Sequence, residues 1–326
     1  MLERITELLT QNNILNGNER FLPITIGISG TYIFSIEDKY VVKYAYLPKF
    51  DLIERERFQK EFNFYKFFSD KNIDFIPEVV FQTANDNEIL ILMKKYSPIK
   101  VEEWTEDLQK ITMELCARIN AIEISNFNDI FHENEQFQEI WNNTVGYTPD
   151  GTPLYKEDFP LSFAYQNWKN LQKYFSEHID RSLLKEMYES FDEIDSYVNT
   201  PPIPDTLCQK DFNPNNFLKD GDRLLACDWG EVCIGKGIDS VAWFSRCGTD
   251  YGITINRDKL IEIYCEALFK YANIKVALND LHKYINASEF IGAFRCGAKF
   301  FQATDINSVL NCYNAMANNY KFFREH

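Results

Sequence analysis

Residues 209–230 decide how this chain is read. They open on Gln209-Lys-Asp211-Phe-Asn-Pro-Asn-Asn216-Phe217-Leu218 and close on Leu225-Ala-Cys-Asp228-Trp229-Gly230, with Lys219-Asp220-Gly221-Asp222 between them. The middle is a two-residue hairpin turn flanked by apolar strand patterns. Asn216 lies five positions after Asp211, a step that lets the Asp face an incoming group while the Asn turns the other way. The hairpin then returns the chain so that Asp228 approaches Asn216. Two hard oxygen donors on neighbouring strands suit Mg2+, which keeps several waters and takes its remaining ligands from phosphates.

The region N-terminal to this hairpin changes pattern several times. Residues 2–12 read as a short amphipathic helix (Leu2, Ile5, Leu8, Leu9). After Pro23 the pattern becomes strand-like: 24–26, 32–36 and 40–44, punctuated by Gly27, Gly30 and the polar 37–39 turn. Phe58, Phe62 and Tyr65 recur at helical spacing, which predicts a helix over 54–69, and strands follow at 76–82 and 88–94. The glycine-containing turn Ile26-Gly27-Ile28-Ser29-Gly30 offers backbone N–H groups that could cradle phosphate oxygens. Lys43 stands in an otherwise apolar strand a dozen residues later, ahead of the helix that bears Glu61. From 101 onward helical periodicity dominates, over 105–124, 160–178, 181–198, 257–274, 278–302 and 306–323. The expected class is therefore α+β: a small antiparallel sheet with one main helix (1–95), joined near Lys94–Pro98 to a larger, mainly helical region (96–326).

Composition bounds the function. The chain has 326 residues, 45% hydrophobic and 15% aromatic, enough for a large buried core, and a net charge of −15. That balance argues against a nucleic-acid or anionic-membrane binder, since both need clustered Lys and Arg. Residues 101–210 carry 21 acids and 8 bases, so nearly all the excess lies in one segment. The eight cysteines show no C-x-x-C pair and read as reduced thiols of a cytoplasmic protein. No signal peptide and no stretch of about 20 apolar residues is visible.

Taken in order, these segments resemble the aminoglycoside phosphotransferase and choline kinase branch of the protein-kinase-like superfamily. Gly27-Ile-Ser-Gly-Thr31, Val42-Lys43, Gln59-Lys-Glu61 and 89–93 match its first lobe. Asp211-Phe-Asn-Pro-Asn-Asn216, Cys227-Asp228-Trp-Gly230 and Gly235-Lys-Gly-Ile-Asp239-Ser-Val-Ala match its second. The match runs from about 22 to 245. The resemblance implies a bilobal fold, ATP (or GTP) with Mg2+, and transfer of the γ-phosphoryl group to a hydroxyl of a small molecule. It implies Asp211 as the catalytic carboxylate and Asn216 and Asp228 as Mg2+ ligands. Lys43 would hold the α/β-phosphates, with Glu61 orienting it. Gly27, Ser29 and Gly30 would cover the phosphates, and the backbone near Lys94 and Tyr96 would meet the adenine. Asp239 would cap its helix and brace the catalytic loop.

Three positions depart from the family pattern. Gln209 replaces the usual His two residues before the catalytic Asp, although Gln can also donate and accept. Asn213 and Asn215 stand where His and Gly are common. Gln209 motivates an alternative reading, a catalytically silent pseudokinase that binds nucleotide or a protein partner. A purely structural helical protein would leave the ordered motifs unexplained. Trp243, Phe244, Tyr251, Phe294, Phe300, Phe301 and Tyr313 are aromatic enough to stack on an acceptor, although helical spacing favours core packing for most of them. Glu102, Glu103, Glu106 and Asp107 near Trp104, and Asp192, Glu193 and Asp195, are candidate acidic rims that point to a cationic, aminoglycoside-like or choline-like acceptor. No nucleic acid, membrane or obligate protein partner is expected.

Overall fold

The computed structural model describes residues 1–24, 31–71, 73–123, 144–147, 153–155, 160–300 and 306–326, with backbone alone at 144–147, 153–155, 296 and 298–300. The chain divides into two compact units, one made of 1–132 with 205–273 and the other of 133–204 with 274–326.

The first unit begins with helix α1 (Leu2–Gln11), followed by strands β1 (Phe21–Pro23), β2 (Tyr32–Ile36) and β3 (Tyr40–Tyr46). Helix α2 (Leu52–Phe68) and strands β4 (Val79–Ala84) and β5 (Glu88–Lys94) complete an antiparallel sheet of order β1-β2-β3-β5-β4. β1 starts at Phe21, earlier than the pattern after Pro23 suggests; as an edge strand it tolerates a proline, and Ile24 N–H continues its ladder to the Ile33 carbonyl at 2.9 Å. Val42, Tyr44, Leu90 and Leu92 bury one face of the sheet against Ile5 and Leu9 of α1. Because strand side chains alternate, Lys43 emerges on the opposite face. α2 starts where the Asp51 side chain accepts from Glu54 N–H at 2.9 Å, and it buries Phe58, Glu61, Phe62, Phe64, Tyr65 and Phe68.

Short strand β6 (Ser97–Pro98) follows, then helix α3 (Glu106–Asn120), N-capped by Thr105. The chain re-enters this unit through β9 (Thr206–Gln209), the hairpin β10 (Phe217–Asp220) and β11 (Arg223–Ala226), and β12 (Val232–Gly235), which pairs with β9. Asp220 pairs with Arg223 across a two-residue turn in which Gly221 has φ +61°. Glycine first with positive φ is the choice for a II′ turn, and it matches the twist of the flanking strands. Helices α7 (Ile238–Asp250) and α8 (Arg257–Ala272) close the unit. Gly237 precedes α7 where a Cβ would run into Asn120 Oδ1 and Tyr264 OH. Those two groups are bonded to each other at 2.8 Å, and Asn120 Nδ2 also donates to the Leu207 carbonyl at 2.6 Å. This polar node ties α3 and α8 to β9, the strand that leads to Asp211.

The second unit contains the hairpin β7 (Thr144–Tyr147) and β8 (Pro153–Tyr155). Its helices are α4 (Leu161–Tyr174), α5 (Arg181–Glu189), α6 (Phe191–Asn199), α9 (Leu278–Phe300) and α10 (Ile306–Glu325). The single helix expected over 181–198 is two, broken at Ser190; the apolar period continues through the break, so periodicity alone does not reveal it. Trp168, Met187, Phe191, Phe290, Phe294 and Met316 are buried in one cluster. Phe294 and Tyr313 are therefore core, as helical spacing favours. Phe301 and the side chain of Phe300 lie outside the described residues. No disulfide joins the described cysteines, and among the described residues no helix is long and apolar enough to cross a membrane.

Candidate active site

Three strands and one helix of the first unit bring the charged residues together. Lys43 Nζ lies 2.6 Å from Glu61 Oε2 and 3.0 Å from Asp228 Oδ1. Burial by itself would lower the Lys43 pKa, but the charges of Asp228 and Glu61 outweigh it and hold the ammonium above the ordinary lysine range. For Glu61, burial first and Asp228 next push the carboxyl up to about 7, against the pull of Lys43 and of the Trp229 amide, which donates to it. Asp228 takes the left-handed conformation (φ 60°, ψ 70°), which costs a non-glycine residue about 1–2 kcal/mol. The strained turn leaves its carboxylate about half exposed while Trp229 is fully buried.

Gln209 holds that turn. Its Nε2 donates to the carbonyls of Cys227 (2.6 Å) and Asp228 (2.9 Å), and the Gln209 carbonyl accepts from Ser240 Oγ at 3.0 Å. Gln209 is buried, and its Oε1 is without a partner among the described residues. Trp229 stacks on Phe64 of α2 with ring centroids 3.9 Å apart and planes 12° from parallel. Gly230 packs so close to α2 that a Cβ would sit 3.3 Å from the Arg57 carbonyl. Arg57 adds ion pairs to Glu54 at 2.6 Å and to Glu231.

Asp211 is held from three directions. Oδ1 accepts from Asn213 Nδ2 at 2.7 Å and from Trp243 Nε1 at 3.0 Å, and Oδ2 accepts from Asn216 Nδ2 at 2.8 Å. Asn216 Nδ2 also donates to the Asp211 carbonyl at 2.8 Å, so its Oδ1 is turned to the other side. Cys227 N–H bonds the Asn216 carbonyl at 2.9 Å, which places Asn216 beside the residue preceding Asp228. The donor set fits Mg2+: one amide oxygen and one carboxylate on adjacent segments, both hard ligands. Among the described residues there is no group of three or more His, Cys, Asp and Glu suited to a metal.

Gly27, Ser29 and Gly30 are outside the described residues. The Lys94 side chain pairs with Glu78 at 2.5 Å, and Tyr96 OH accepts from Glu78 N–H at 3.2 Å. Both border a polar cavity of about 360 Å³, shared with Lys219 and Arg223, whose lining includes neither Lys43 nor Asp228. The Lys94 and Tyr96 side chains are thus not brought to the Lys43 cluster. Asp239 is the second residue of α7, and Gly237 holds the cap position expected of it. Of the acidic rims, Glu103 pairs with Lys219 (3.0 Å), Glu106 with Lys259 (2.7 Å) and Glu193 with Arg324 (2.7 Å). Trp104 is buried edge-on to Phe217 and Phe244. The aromatics of α7 and its C-terminal cap divide: Phe244 is core, whereas Trp243 and the capping Tyr251 are about two-fifths exposed. The contacts of Asn213 and Trp243 with Asp211 escape sequence reasoning; a Trp one helical turn after Asp239 is their faint signal.

No protein-family model matches this chain, and no curated protein does. Solved structures do. Plasmodium vivax ethanolamine kinase superposes with a TM-score of 0.53 at 16% identity, over 98% of this chain and 88% of that one. The choline kinase of Cryptosporidium parvum gives 0.54 at 12%, over 100% and 97%. A GDP complex of a mutant aminoglycoside 2′-phosphotransferase IIIa gives 0.54 at 13%, over 98% and 97%. This protein has the protein-kinase-like fold of the small-molecule kinases.

Proposed function

We propose that this chain is an ATP- and Mg2+-dependent phosphotransferase that moves the γ-phosphoryl group to a hydroxyl of a small molecule. The observation that carries the reading is the Lys43 ammonium bonded at once to Glu61 and Asp228. Such a lysine is kept charged and aimed, which suits it to the α/β-phosphates of a nucleotide. Asn216 and Asp228 would hold Mg2+, which supplies charge neutralisation on the phosphates. Asp211 would receive the acceptor's proton. Residues 27–30 would cover the phosphates, and the backbone near Lys94 and Tyr96 would meet the base. Residues 1–95 would form the nucleotide lobe, and 96–326 would carry the catalytic loop and acceptor site.

The GDP in the aminoglycoside phosphotransferase structure supports a purine nucleotide, with GTP as an option beside ATP. A cationic acceptor is supported by the amines that the similar enzymes are named for and by the acidic segment 101–210. The cysteines fit a cytoplasmic setting.

The deciding experiment is thermal melting with ATP, with and without Mg2+, together with Mg–ATP hydrolysis by wild type and Asp211→Asn. A Mg2+-dependent rise in Tm and a hydrolysis rate lost in Asp211→Asn support the reading. A Tm rise with identical rates in the two proteins would favour the silent pseudokinase that Gln209 motivates. Absence of any shift and any hydrolysis would sink both.

A further inference from the structure

The hydrogen bonds around Asp211 distinguish its two oxygens. A carboxylate oxygen offers two lone-pair directions. Oδ1 uses both, on Asn213 Nδ2 at 2.7 Å and Trp243 Nε1 at 3.0 Å. Oδ2 uses one, on Asn216 Nδ2 at 2.8 Å. We infer that Oδ2 takes the acceptor's proton, and that Trp243 is the positioning residue that makes the two oxygens unequal; the inference rests on the phosphotransferase reading above.

A carboxylate rotates about its last torsion in a broad, two-fold well, so nothing intrinsic to Asp211 separates Oδ1 from Oδ2. The neighbours must do it. Asn213 and Asn216 are both on the catalytic loop and move with it. Among the described residues Trp243 alone donates to this carboxylate from another element, α7, whose start is pinned to the end of β9 by Ser240 Oγ on the Gln209 carbonyl at 3.0 Å. The indole N–H has no acceptor role, so it cannot reverse the bond. Trp243 thus fixes an orientation in which both lone pairs of Oδ1 are taken and one lone pair of Oδ2 stays open.

In the transfer step the acceptor O–H bond breaks and its proton goes to Asp211 Oδ2. The acceptor oxygen bonds the γ-phosphorus, and the bond from that phosphorus to the β–γ bridging oxygen breaks. The nucleoside diphosphate leaves with that electron pair, and Asp211 later returns the proton to solvent. Trp243 touches none of these atoms and acts only through the orientation of Asp211.

The test uses the full chain, Mg–ATP and water as the hydroxyl acceptor. Trp243→Phe keeps an aromatic ring and removes the donor; benzothienylalanine at position 243 keeps the bicyclic shape and replaces N–H by sulfur. Both should lower kcat about tenfold, the loss expected for a half-exposed bond to a charged group, with KM for ATP within about twofold of wild type. The Mg–ATP shift in Tm should be unchanged, which a merely structural role for Trp243 would not predict. Wild-type kcat in the benzothienylalanine protein overturns the inference and leaves the phosphotransferase reading standing. A wild-type protein with neither a Mg–ATP shift nor hydrolysis removes that reading and this inference with it.

Discussion

Around Asp211 the interior is polar, and the named side chains nearly all have partners: Gln209 on two carbonyls, Asn120 on Leu207 and Tyr264, Lys43 on two carboxylates. In the unit of α4, α5, α6, α9 and α10 the centre is Trp168, Phe191, Phe290 and Phe294, rings 5.5 to 6.1 Å apart where Phe191, Phe290 and Phe294 meet. The contrast separates two uses of burial. Apolar burial stabilises without direction, at roughly 25 cal/mol per Å². Burying a charge costs several kcal/mol unless partners are already in place, and what it yields is a side chain fixed in direction. In the first unit a left-handed Asp228 and a buried Lys43–Glu61 pair meet at one place, whereas the ring cluster of the second is uncharged.

Four measurements would sharpen or break this contrast. The largest effect belongs to the apolar unit: Phe290→Ala should destabilise by about 3–5 kcal/mol in denaturant unfolding, and a loss under about 1 kcal/mol would show that the ring cluster is not what holds it. Next, Asp228→Ala should remove the Mg2+-dependent ATP shift and cut any phosphoryl transfer by about 10²–10³-fold, with Glu61→Gln milder at about tenfold. An unchanged rate in Asp228→Ala would mean the triad is an ordinary ion pair. Gly237→Ala should lower stability by about 1–3 kcal/mol, because the new methyl meets a bonded Asn120–Tyr264 pair; full stability would show that the polar node yields easily.

The smallest effect is a pH dependence. Glu88 accepts from Arg4 Nη2 at 2.6 Å, Tyr44 OH at 2.9 Å and Asn85 Nδ2 at 3.2 Å. The bond from Arg4 chiefly holds its carboxyl below the usual value of 4.5. A depressed carboxylate contributes stability that is complete above its unfolded pKa and lost as pH falls through the folded one. Stability should therefore decline below about pH 4.5, and Glu88→Gln should flatten that decline while costing about 1 kcal/mol at pH 7. Equal pH profiles for the two proteins would refute the assignment.

The hairpin, the strand lysine and the helix glutamate are legible because local rules place them: Gly221 sets the turn, alternation sets the face of Lys43, and helical spacing sets Glu61. What sequence does not disclose depends on contacts far along the chain. Whether Trp243 or Phe244 faces the loop is undecided by a pattern in which both are apolar. That Gln209 serves the Asp228 turn through its amide follows only once β9 lies beside the hairpin exit. β4 begins at Val79 rather than at residue 76, and its register shifts between Val79 and Phe81, an irregularity that no propensity encodes.

The stacking of Trp229 on Phe64 has a mechanical consequence. Many enzymes with this lysine–glutamate pair are switched by swinging the glutamate's helix outward. Here that helix is riveted to the Asp228 segment by a fully buried ring stack, by Gly230 in close approach and by Arg57 on Glu231. An outward swing would have to pull a pair of large aromatic rings apart and open a void of their size, a penalty of about 3–5 kcal/mol. A site built this way has no second posture within thermal reach, so the Lys43–Glu61 pair should stay assembled whether or not a ligand is bound.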